Sequence, residues 1–239
     1  MRARVPDYGL DAPAVVGRLG LFGLAGLVTG LLGRFVLGEA AFDWVLWSGL
    51  SCLVSAAGMV LSSRVGKLWV RNRLLGSIPW TGTGRVLDVG CGRGLLLVGA
   101  ARRLENGLAV GVDIWRARDQ AGNYPGAVLL NAAAEGVADR VAVVTGDARA
   151  LPFADGAFDV VVTGLVLHNI DRRGQEAALA ELVRVLRPGG YVAIFDIVRG
   201  PGYARALRAH GVRVLKLSGP WPLFWLPAWL VIGQKLRTD

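Results

Sequence analysis

The nine residues from Val86 to Gly94 read VLDVGCGRG. A short apolar run ends in an acid, three glycines follow at alternate positions (Gly90, Gly92, Gly94), and the apolar Leu95, Leu96, Leu97 and Val98 come next. Few local structures satisfy that order. A buried strand must turn sharply, bring its backbone close to something, and enter a helix. Glycine permits both the turn and the approach because it has no Cβ. The helix that opens there carries N–H groups with no intrahelical partner. Strand, tight loop and helix together form the opening unit of a sheet wound with helices.

From Arg85 onward the same alternation repeats. Arg85–Val89, Leu108–Val112, Arg140–Val144, Ala157–Val162 and Tyr191–Ile197 read as strands, and Leu95–Leu104, Gly126–Ala138, Gly174–Leu186 and Tyr203–His210 as helices. The strands are continuously apolar, as parallel strands covered on both faces are. Arg187-Pro188-Gly189-Gly190 stops one helix and turns into the fifth strand. The expected fold class is α/β, a doubly wound Rossmann-like sheet. Such sheets take ligands at the carboxyl ends of their strands, where the strand order switches. The glycine loop lies at the first of those ends. The dinucleotide pattern G-x-G-x-x-G fails here, because Leu95 occupies its third glycine position. Asp88 would also repel a pyrophosphate and suits a ligand with a cationic group.

Asp88-Val89-Gly90-Cys91-Gly92-Arg93-Gly94 resembles the first motif of class I S-adenosylmethionine-dependent methyltransferases. Gly111-Val112-Asp113, Gly146-Asp147-Ala148 with Leu151-Pro152-Phe153, Phe158-Asp159-Val160-Val161 and Arg184 to Gly190 follow in the family's order and spacing. The resemblance covers about 85–236 and is nearest to quinone-biosynthesis C-methyltransferases and small-molecule methyltransferases. It implies S-adenosyl-L-methionine as cofactor and S-adenosyl-L-homocysteine as product. It also implies a cofactor site built from Asp88, Gly90, Cys91, Gly92, Gly94, Asp113, Ile114, Asp147, Ala148 and Leu165. Asp113 would accept both ribose hydroxyls and Asp147 the adenine amino group. The Ala148 N–H would donate to the adenine ring, and Leu165 would line the methionine side or the core. His168 follows the fourth strand, as a general base for the acceptor, as a helix cap or as a cofactor contact. No metal is expected. Two features depart from the family pattern: the charged stretch Trp115 to Gln120, and Asn123-Tyr124-Pro125, which interrupts an expected helix.

The first eighty residues differ in character. Leu19 to Gly33 is uncharged, within an apolar run of 15–37, and Trp44 to Leu61 is uncharged throughout. A bilayer core of ~30 Å needs about 20 apolar residues in a helix, so the two runs read as a transmembrane hairpin over 15–63. Arg2, Arg4 and Arg18 precede the first uncharged run, and Arg64, Lys67, Arg71 and Arg73 follow the second. By the positive-inside rule both flanks face the cytoplasm. This gives an integral membrane protein with a short N-terminal tail (1–14), a juxtamembrane helix and linker (64–84) and a cytoplasmic catalytic domain (85–239). A signal peptide ending near Gly38-Glu39-Ala40 and a pair of buried soluble helices are the alternatives. Gly26 and Gly30 have close-packing spacing, suiting either a homodimer contact or packing on the hairpin partner. Residues 62–75 suit a helix lying on the anionic leaflet, or the first helix of the globular domain. The tail Ser218 to Gly233 is uncharged and carries Trp221, Phe224, Trp225 and Trp229; Arg213–Leu217 and Ala228–Lys235 read as an antiparallel strand pair, with the segment between them as the joining loop. It would either dip into the membrane interface or pack on the N-terminal helices.

Composition narrows the partners. Net charge is +9 with no block of five like charges, which leaves no dedicated nucleic-acid arm. The two cysteines, Cys52 and Cys91, lie in an apolar run and in the glycine loop, so this is not a disulfide scaffold. A small-molecule or lipid acceptor remains. An anchored enzyme makes most sense with a lipophilic acceptor such as a quinone or isoprenoid; a tethered enzyme for a soluble acceptor and a non-catalytic scaffold are the other readings.

Overall fold

The computed structural model of the chain describes residues 5–10, 12–116, 122–197, 199–223 and 226–237. The charged stretch Ala117 to Gln120 and the aromatic pair Phe224 and Trp225 therefore lie outside the described residues. The chain forms two compact units. One is Gly9–Lys67; the other joins the segment ending at Tyr8 to everything from Leu68 onward.

In the first unit, α1 (Pro13–Phe35) and α2 (Asp43–Leu61) form an antiparallel hairpin around a short 3-10 turn, Ala40–Phe42. Glycine sets their spacing. A Cβ on Gly30 would lie 2.6 Å from the Leu46 backbone nitrogen, and one on Gly26 would lie 2.9 Å from the Gly49 Cα. The Gly26–Gly30 notch is thus filled by the helix's own hairpin partner, one of the two readings the spacing allowed. Gly17 and Gly20 face open space. Outside this seam the surface is apolar: Leu21, Phe22, Phe35, Trp44, Trp47 and Leu61 are all exposed. Both helices are long and apolar enough to cross a membrane. Helix α2 does not stop at Leu61. A π-helical stretch, Ser62–Gly66, carries it into α3 (Lys67–Leu75), so 62–75 is helical throughout.

The second unit is a seven-stranded sheet in the order β3-β2-β1-β4-β5-β7-β6. Strands β1 (Thr83–Val89), β2 (Asn106–Asp113), β3 (Val141–Thr145), β4 (Phe158–Gly164) and β5 (Leu186–Ile197) run parallel; β6 (Val212–Leu223) and β7 (Leu226–Lys235) are antiparallel. Helices α4 (Leu95–Ala101), α5 (Pro125–Ala134), α6 (Arg172–Val185) and α7 (Gly200–Ala209) complete the winding. The order reverses between β1 and β4, which puts the topological switch beside the glycine loop. Core side chains form two clusters, centred on Leu97 and Ala193 in one and on Leu87, Val161 and Ile194 in the other.

Pro125 starts α5 from its first turn, where a missing N–H costs nothing, one residue before the start expected at Gly126. Two expectations need correction. The tail is not two short strands joined by a long loop. Strands β6 and β7 pair as far as Leu223 and Leu226, with register shifts at Val214/Lys216 and Ser218/Trp221. Those irregularities, on an edge strand, let the chain absorb Pro220 and Pro222. Trp221 lies edge-on to Trp69 of α3 at 5.8 Å, and Arg73 sits over both rings. Finally, the N-terminal segment is not a separate tail. The Asp7 backbone N–H donates to Asn131 Oδ1 (2.8 Å), and Asn131 Nδ2 donates back to the Asp7 carbonyl (2.9 Å). Tyr8 is 8% exposed, and its hydroxyl donates to Glu135. Residues 7 and 8 act as a strap across the end of α5.

Candidate functional site

Strand β1 ends in a loop whose glycines all take left-handed conformations, with φ of 71°, 53° and 84° at Gly90, Gly92 and Gly94. L side chains rarely adopt that region. Gly90 has a second constraint, since a Cβ there would lie 2.3 Å from Val166. The Gly90 N–H donates to the Val112 carbonyl at 2.7 Å, which ties the loop to the end of β2.

Asp113 ends β2 and organises everything around it. Its Oδ2 accepts the Gly92 N–H at 2.9 Å; its Oδ1 accepts the Trp115 N–H at 2.8 Å and Asn123 Nδ2 at 3.2 Å. One carboxylate therefore holds the glycine loop, the turn after β2 and the approach to α5. Ile114 beside it is exposed. Asp88 is placed differently. It is 1% exposed, so the expectation that it faces a ligand's cationic group directly does not match its position. Burial raises its carboxyl to about 8, against a hydrogen bond from the Leu97 backbone. Cys91 is also enclosed. Its Sγ packs against Gly111, and burial pushes the thiol well above its ordinary range.

The loop glycine that precedes α4 is flanked by Arg93, whose Nε and Nη2 donate to the Asp7 carbonyl and carboxylate at 2.9 and 2.8 Å. Asn131 Nδ2 also donates to the Arg93 carbonyl at 2.8 Å. The strap thus grips the glycine loop as well as α5. Behind it, Arg71 pairs with Glu135 at 2.8 Å, both nearly buried, and Arg102 reaches the other Glu135 oxygen. The sequence reading had no place for this network.

Asp147 is not free for adenine as expected. Its carboxylate is clamped by the Arg149 guanidinium at 2.6 to 3.1 Å and accepts the Arg149 N–H at 2.9 Å. Arg149 holds the carboxyl below its usual range. The pair is half exposed and screened by solvent, so a ligand can displace the arginine cheaply. Ala148 packs against the second core cluster. Leu165, just past β4, is held at φ 57° by its N–H bond to the Phe195 carbonyl and packs on the first.

His168 has a partner that the sequence reading missed. Its Nδ1 lies 2.7 Å from Asp196 Oδ1. Asp196, at the end of β5, is 1% exposed and also accepts the backbone N–H groups of Leu167, His168 and Ile197. In the tautomer that donates Nδ1–H to Asp196, Nε2 is left as an acceptor. Val166, two residues before His168, is the side chain over Gly90, so the histidine's turn abuts the glycine loop.

Residues 87–194 match the family model described as a methyltransferase domain. The chain carries a methyltransferase domain. It is 41% identical over 116 residues to the demethylmenaquinone methyltransferase of Roseiflexus castenholzii, a match covering 48% of this chain and 44% of that one. It is 32% identical over 168 residues to a ubiquinone/menaquinone biosynthesis C-methyltransferase of Geobacter sulfurreducens, covering 67% and 60%. The chain thus spans about half to three fifths of the length of these curated relatives. Among solved structures, geranyl diphosphate methyltransferase in complex with S-adenosylmethionine superposes with a TM-score of 0.57 at 16% identity, over 83% of this chain and 92% of that one. The fold is that of S-adenosylmethionine-dependent methyltransferases, and the methyltransferase domain contains the glycine loop, Asp113, Asp147 and His168.

Proposed function

We propose that this protein is a membrane-anchored methyltransferase that transfers a methyl group from S-adenosylmethionine to a lipophilic acceptor such as a quinone or isoprenoid. The observation that carries the catalytic part is the arrangement at the switch point: a loop pinned through Gly92 to Asp113, with the His168–Asp196 pair next to it. The residues fit the cofactor. Asp113 Oδ2 keeps acceptor capacity at the end of β2, and the glycine backbone offers close approach.

When bound, the cofactor supplies an electrophilic methyl on a sulfonium sulfur and departs as S-adenosylhomocysteine. The chain's own work is to bind, orient and exclude water. Asp113 would hold the ribose. Asp147 and Ala148 would take the adenine, with Arg149 displaced from Asp147, and Leu165 would line the methionine side. His168 Nε2 removes the acceptor's proton, and Asp196 fixes the tautomer that makes this possible.

The membrane part rests on the two apolar helices and their exposed faces. The basic flanks give an orientation with both ends cytoplasmic. Trp69, Arg73 and Trp221 suit an interfacial belt beside the acceptor's route. The relatives named for quinone methylation support a quinone-like acceptor. The test uses detergent-solubilised full-length protein, methyl-labelled S-adenosylmethionine and a whole-cell extract, partitioned between organic and aqueous phases. Label in the organic phase is expected. Label confined to the aqueous phase would recast the hairpin as a tether for an enzyme of soluble acceptors, and absence of cofactor binding would leave only a scaffold.

A further inference from the structure

The ribose presents two vicinal hydroxyls, and Asp113 has room for one. A carboxylate oxygen has two acceptor sites. Oδ1 has filled both, from the Trp115 N–H and Asn123 Nδ2, and Oδ2 has filled one, from the Gly92 N–H. Two of these donors are backbone groups that shape the loop and the turn, so neither can be withdrawn without opening them. A second acceptor stands beside the first. Asn123 is 8% exposed, its Nδ2 is committed to Asp113, and its Oδ1 is buried with no hydrogen-bond partner. Turning the amide round would set its oxygen against Asp113 Oδ1, so the acceptor has to stay where it is. A buried acceptor without a donor costs a fold stability, and native structures retain few of them.

We propose that Asn123 is the second ribose acceptor: one hydroxyl of the bound cofactor donates to Asp113 Oδ2 and its neighbour to Asn123 Oδ1. The proposal rests on the cofactor reading above and deepens it. The residue type is apt. An aspartate at 123 would set a second carboxylate against Asp113, whereas an asparagine accepts without charge. It also donates to Asp113, so the two acceptors are held at fixed spacing. Together they select a ligand with both hydroxyls in place.

The test is calorimetric titration of detergent-solubilised full-length protein with S-adenosylhomocysteine and its 2′-deoxy and 3′-deoxy analogues. The proteins compared are wild type, Asn123→Ala and Asn123→Ser, the serine retaining a donor for Asp113. In wild type each analogue should bind about tenfold more weakly than the parent, the scale of one hydrogen bond. In both variants the parent should weaken by about tenfold, while one of the analogues, the one lacking the hydroxyl that Asn123 accepts, loses nothing further. Equal weakening of all three ligands in the variants would overturn the proposal, because it would mark Asn123 as a mere support for Asp113. If neither variant folds, wild type still decides: one analogue binding as tightly as the parent would overturn it. Wild type binding none of the three would bring down the cofactor reading, and this proposal with it.

Discussion

Asp88 titrates in a range where the folded and unfolded chains disagree. Its carboxyl is raised from 3.8 to about 8 by burial. Between those values the folded chain holds a proton that the unfolded chain has released. The folded state then binds more protons, so stability falls as pH rises from about 4 to about 8 and levels off above. The melting temperature of the solubilised protein should decline across that window, and Asp88→Asn should flatten the decline; an unchanged slope would place its source elsewhere. His168 gives a second prediction. His168→Ala should lower kcat by about 10²- to 10⁴-fold with cofactor affinity unchanged. Asp196→Asn should do nearly as much, because an amide donating to Nδ1 forces the proton onto Nε2 and abolishes the base. Both effects are read from kcat alongside a cofactor titration, and a matching loss of affinity would mean the pair is structural. Asp113 and the glycines were legible because their pattern is local. Asp196 was not: 28 residues separate it from His168, and only the pairing of β4 with β5 brings them together. The Arg149 clamp on Asp147 was not read either, although it is just two residues on, since charge spacing alone does not reveal which acid already has a partner.

Elements carry their own costs. Helices α1 and α2 touch through glycine, so Gly30→Leu should force them apart and destabilise the hairpin by about 1–3 kcal/mol. Gly20→Leu, into open space, should be silent. Thermal unfolding in detergent compares the two, and equal melting points would contradict the seam. On the other unit, Glu135→Ala strands a buried Arg71 and should cost about 3–5 kcal/mol. Arg102→Ala removes only the exposed side of the same network and should cost under about 1 kcal/mol. Strand and helix order from Arg85 onward was readable because each element buries a periodic apolar face. The β6–β7 hairpin was not, because its prolines read as loop and only the bulged register shows how strands accommodate them. The strap was invisible for a simpler reason: Tyr8 and Glu135 are 127 positions apart in sequence.

At the scale of the whole molecule the strap has a topological consequence. Residues on both sides of Gly9–Lys67 belong to one folded body, so the hairpin is an insertion within that body's chain. Whatever it traverses, it must traverse an even number of times. A single crossing would strand Asp7 and Tyr8 on the far side of the bilayer from Arg93 and Glu135. Parity thus constrains orientation independently of the flanking charges. Tags at the two termini should show equal resistance to protease added outside spheroplasts, and cleavage of one tag alone would break the argument. Signal-peptide cleavage near Glu39 would likewise sever the strap from the domain it grips. The same connectivity orders events during synthesis. The strap leaves the ribosome before the hairpin but has nothing to close on until α5 has formed, so the catalytic unit completes itself only after the hairpin has been made.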